Sequence, residues 1–73
     1  MELKIGHNYE IQFSHRFFGG SIIIAQLIEY KEKMDGYVVK LIKPVKWCGY
    51  YWQQPTVGRE FIIGKENFIE EVK

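Results

Sequence analysis

The chain holds a single cysteine, Cys48, so no disulfide can close within it and a four-cysteine zinc site is excluded. A lone thiol fits a reducing compartment better than a secreted one, and Met1-Glu-Leu-Lys-Ile5 is too polar for the apolar centre of a signal peptide. No apolar run approaches the roughly 18 residues that a membrane helix requires. The expectation is a cytoplasmic protein with no membrane partner. Charge of one sign is also scarce. A net charge of +1 exerts no general pull on nucleic acid or on acidic surfaces. Internal repeats, low-complexity tracts and linkers are absent. Phe18-Gly-Gly-Ser21 lacks the lysine and the following helix that a phosphate cradle needs, and nothing points to a cofactor.

What is present is apolar bulk. With 73 residues the chain is read as one domain spanning 1–73, because a typical domain takes on the order of 100. So short a chain buries only roughly 60% of the surface it exposes when unfolded. Its core must therefore be dense, and 47% hydrophobic with 16% aromatic residues supplies the material. Aromatic side chains bury the most area per residue, which matters where no disulfide or metal can help.

The pattern of those residues is that of strands. Ser21 to Tyr30 and Tyr37 to Ile42 are rich in Ile, Val and Tyr, and they flank a segment ending in Asp35-Gly36. β-branched and aromatic side chains suit a pleated surface, and Asp-Gly tolerates the positive φ of a tight turn. Ile22 to Lys33 would tolerate a helix, but three consecutive isoleucines and the Asp-Gly favour a strand. From His7 to Ser14 the chain alternates, with Tyr9, Ile11 and Phe13 on one face and Glu10, Gln12 and Ser14 on the other. His15 to Gly20 reads as a loop because of its paired glycines.

The second strand places Ile23, Ala25 and Leu27 on one side, yet Ile22, Ile24 and Ile28 leave the other side apolar as well. Such a strand is buried on both faces or bends at a bulge. Pro44 ends the third strand. Val45 to Thr56 is a connecting loop or a small hairpin turning at Gly49. Arg59 to Ile63 is a fourth strand stopped by Gly64, Lys65-Glu-Asn67 has room for one helical turn, and Phe68 to Val72 closes the chain.

These elements together resemble the small SH3-like barrel. Gly20 precedes a long second strand with Ala25 inside it, Gly58 precedes Phe61-Ile-Ile63, and Lys65-Glu-Asn-Phe68 turns into Ile69 to Val72. The resemblance implies an all-β, five-stranded SH3-like barrel with a one-turn helix before the last strand. An OB-fold and a simple curved antiparallel sheet are the rival architectures. The acidic loop of peptide-binding SH3 domains has no counterpart here, so the likeness does not extend to proline-motif recognition.

Catalysis finds little support. Cys48 with His7 or His15, assisted by Glu60 or Asp35, supplies the residue types of a nucleophile, base and orienting group, but no local motif links them. The expectation is a protein that is not an enzyme, with no catalytic residues and no metal ligands.

Two connecting segments attract more attention. Trp47, Tyr50, Tyr51 and Trp52 crowd one, and Arg16, Phe17 and Phe18 the other. Loops run over the surface, so rings concentrated there either cap the ends of the core or form a contact patch. Trp, Tyr and Arg dominate binding hot spots because they offer large rigid area at modest entropic cost. The leading expectation is a protein or peptide partner bound through Arg16, Phe17, Phe18, Trp47, Tyr50, Tyr51 and Trp52. One alternative is single-stranded nucleic acid stacked on the same rings, with Lys43 and Lys46 on the phosphates. The other is a homo-oligomer formed through this patch or through a sheet edge.

Overall fold

The computed structural model describes residues 2–15, 19–44 and 56–72. Five antiparallel strands run β1 (Asn8–His15), β2 (Gly19–Lys31), β3 (Gly36–Leu41), β4 (Glu60–Ile63) and β5 (Phe68–Val72). Single 3-10 turns, Glu32–Met34 and Lys65–Asn67, precede β3 and β5. The order across the sheet is β4-β3-β2-β1-β5. The protein is all-β, and the one-turn helix stands before the last strand where the Lys65-Glu-Asn segment leads one to expect it.

Alternation decides which side chains go inside. Tyr9, Ile11 and Phe13 of β1 are buried, as are Ile23, Ala25 and Leu27 of β2. Val39 and Leu41 of β3, Ile63 of β4 and Phe68 of β5 complete the cluster, with Leu3, Tyr37 and Phe61 packed against it. No polar or charged side chain among the described residues is buried. This core is held by area alone, without any buried ion pair whose desolvation would have to be offset.

The sheet curls over itself. Rings of Phe13 on β1 and Phe61 on β4 lie 4.7 Å apart, and those of Tyr37 on β3 and Phe68 on β5 lie 5.6 Å apart. In each case two strands intervene in the sheet order. Across a flat sheet with strands about 4.8 Å apart, such residues would stand about 14 Å from each other. Tyr9 meets Phe68 edge-on at 5.4 Å, so one ring on β5 ties the two halves of the curl together.

The bend in β2 comes from a bulge. Leu27 pairs with Val39 but Glu29 pairs with Val38, leaving Ile28 as the extra residue. Before the bulge, the outward Ile22 stays 54% exposed. The two-sided burial that its isoleucine run also allowed does not occur.

One turn differs from expectation, and the other carries the expected positive φ at Asp35 alone. The glycines at 19 and 20 belong to the ladder, pairing with His15 and Ser14; a glycine's N–H and C=O serve a ladder like any other residue's. At the β2–β3 turn, Asp35 itself carries the positive φ of 47°, and its N–H donates to the Glu32 carbonyl at 3.2 Å. Asp tolerates this left-handed region through local hydrogen bonding, and Tyr30 Oη donates to Asp35 Oδ1 at 2.8 Å. Gly36 is already strand.

Candidate functional site

Antiparallel alternation sets the described flanks of the two ring-bearing connections at the same end of the sheet. The first leaves β1 at His15 and enters β2 at its Gly19 partner. The second follows β3, whose continuation stays beside the start of β2: the Ile42 N–H donates to the Ile24 carbonyl at 3.1 Å. Its return is clamped below. Leu41 N–H donates to the Arg59 carbonyl at 2.9 Å, Gly58 N–H to the Leu41 carbonyl at 2.7 Å, and Arg59 N–H to the Thr56 carbonyl at 3.1 Å. Gly58 has φ of 98° in this clamp, a conformation that suits a residue without a β-carbon.

Arg16, Phe17, Phe18, Lys46, Trp47, Tyr50, Tyr51 and Trp52 lie outside the described residues, as does Cys48. Of the expected contact residues, Lys43 is described: it is exposed at the bend that follows β3.

The described part of this end contributes a feature that composition alone does not reveal. The Arg59 guanidinium sits over the Phe61 ring, 5.5 Å from its centroid, and Phe61 rests on Phe13. Phe13 is buried, Phe61 half-buried and Arg59 exposed, so a cation lies over an aromatic floor anchored in the core. Stacking of this kind is worth about 0.5–1 kcal/mol at an exposed site. The period of two in Arg59-x-Phe61 was the available signal: residues two apart on a strand share a face. Thr56 and Val57 are also exposed here, Val57 at 55%.

Two pairs of titratable groups stand close together at the other end of the sheet. His7 Nδ1 lies 2.9 Å from Glu71 Oε2, and Lys31 Nζ lies 3.3 Å from Glu29 Oε1. The hydrogen bond to Asp35 raises the Tyr30 phenol above its ordinary 10.0, with smaller contributions from desolvation and from the Asp35 charge. Among the described residues no three His, Cys, Asp or Glu side chains are grouped to hold a metal ion, and no helix is long and apolar enough to cross a membrane.

Comparison with protein-family models, with curated proteins and with solved structures finds no match for this chain.

Proposed function

We propose that the protein is a non-enzymatic binding module, built on a cytoplasmic SH3-like barrel, that contacts a protein or peptide through the ring-rich end of its sheet. The strand order, the curl measured by the cross-sheet rings and the 3-10 turn before β5 support the barrel. The observation that carries the binding reading is Arg59 over Phe61, at the root of the two connections that hold Arg16, Phe17, Phe18, Trp47, Tyr50, Tyr51 and Trp52. Arginine and aromatic residues on a rigid base are the composition of a hot spot, where little ordering entropy is lost on contact.

Co-purification from native extract tests this with wild type, Arg59→Ala and Trp52→Ala. The expected result is a partner retained by the wild type and lost by both variants, whose melting temperatures stay close to the wild type's. Loss of stability without loss of the partner would assign these residues to capping the core instead. The exposed cations Lys43 and Arg59 favour single-stranded nucleic acid as the second reading. It requires oligonucleotide binding that weakens steeply as salt is added. Oligonucleotides that fail to bind at low ionic strength eliminate it.

A further inference from the structure

Charge in this chain is sorted by position. All nine Asp and Glu residues fall within 1–10, 29–35 and 60–73. Residues 11–28 and 36–59, which hold both ring-bearing connections, contain none, yet they carry Arg16, Lys40, Lys43, Lys46 and Arg59. A surface of one sign steers and selects a partner of the other.

The consequence is visible at Arg59. Its guanidinium is exposed over Phe61 and forms no ion pair among the described residues. The neighbouring acid, Glu60, does not serve it. Alternation turns Glu60 to the opposite face of β4, where it stands across from Lys40. Lys43 is exposed two residues beyond Leu41, whose N–H donates to the Arg59 carbonyl at 2.9 Å. Two residues span at most about 7 Å of chain, so the backbones at Lys43 and Arg59 are near neighbours.

We infer that the partner met by this end is an acidic protein segment that sets a carboxylate on the Arg59 guanidinium; this rests on the binding reading proposed above. The preference for a carboxylate follows from how the cation is mounted. A guanidinium held by a ring has little freedom left to lose when its N–H fork takes both oxygens of a carboxylate. The preference for protein over single-stranded nucleic acid follows from the ring itself. Phe61 is covered by Arg59 and rests on Phe13, so it offers a base no open platform for stacking. A polyanion also continues beyond these few cations, and a net charge of +1 gives the rest of its backbone little to hold.

Selection from a random-peptide display library against the full chain provides the test, with oligodeoxythymidylate as the nucleic-acid probe. The selected peptides should be enriched in Asp and Glu, and their binding, read by fluorescence anisotropy, should weaken as salt is added. Arg59→Glu should weaken it at least about tenfold, because a like charge then faces the acid. When the glutamates of such a peptide are replaced by lysine one at a time, one product should bind Arg59→Glu better than the wild type. A melting temperature near the wild type's shows the variant to be folded.

Selected peptides without acidic enrichment, lost with Trp52→Ala, overturn the inference and leave the binding reading standing. Acidic peptides indifferent to Arg59→Glu overturn it as well, since their carboxylates sit elsewhere. A library that yields no peptide overturns both. Oligodeoxythymidylate that binds more tightly than the selected peptides, and is lost with Arg59→Glu, gives the site to nucleic acid instead.

Discussion

The Cγ2 methyl of Ile62 lies 2.7 Å from the point that a β-carbon on Gly36 would occupy. Gly36 on β3 is therefore required for space, since β4 crosses it with a branched side chain pressed onto its backbone. Ile62 cannot swing this methyl away without changing rotamer, because it branches at the β-carbon.

Gly36→Ala is expected to cost about 1–3 kcal/mol, the range for overpacking, and to lower Tm by at least about 4 °C in a chain of this size. The double variant Gly36→Ala/Ile62→Ala should recover most of the loss, because Ile62 is 50% exposed and contributes little burial itself. Thermal melting of the three variants decides this, and additive losses would refute the contact.

Phe68 joins β5 to Tyr9 on β1 and Tyr37 on β3. Phe68→Ala is expected to cost about 3–5 kcal/mol, a large part of what holds so small a domain together. Urea unfolding measures it, and a loss below about 1 kcal/mol would show that the ring is dispensable.

Much of this scaffold is legible in the sequence because burial on one face of a strand forces a period of two. Tyr9, Ile11 and Phe13 announce β1 in this way, Ile23, Ala25 and Leu27 announce the inner face of β2, and the Lys65–Asn67 turn falls where Gly64 stops β4. Register is less legible. The extra residue at Ile28 depends on how far β2 must bend to let Phe13 meet Phe61, a property of the curled sheet that no local pattern encodes. Gly19 and Gly20 look like a loop because glycine marks turns and strand ends alike. Of the candidate site, the crowding of rings into two connections is plain to read. Their common root at one end of the sheet, and Arg59 over Phe61, emerge only from pairing between distant strands.

Tyr30 and Asp35 make the β2–β3 turn sensitive to alkali. The hydrogen bond to Asp35 holds the phenolic proton more tightly in the folded chain, raising its pKa above 10.0. The bond therefore contributes fully below the pKa of an unfolded tyrosine and is lost as pH rises through the higher folded value. Compared with Tyr30→Phe, the wild type should lose stability more steeply above about pH 10, with a late step in tyrosinate absorbance that the variant lacks. Parallel stability curves for the two proteins would dismiss the effect.

Tyr9 fastens the chain ahead of β1. Its ring is fully buried, and its hydroxyl accepts the Lys4 N–H at 2.8 Å. Tyr9→Phe keeps the ring and removes the acceptor, so a loss of about 1 kcal/mol is expected. Faster amide exchange at Lys4 should accompany it while the strand amides keep their protection. Unchanged exchange at Lys4 would mean that another acceptor holds it.

The ladder between β1 and β5 joins Asn8 to Val72, so its formation must bring together residues separated by most of the chain. The β1–β2 and β2–β3 pairs zip through short connections, whereas this pairing waits on a slow conformational search, in the regime of milliseconds to seconds. Until then β1 keeps one open flank, and the pocket for Phe68 stands unfilled above Tyr9. The interval before that last strand docks is when a newly made chain is most vulnerable to capture by its neighbours.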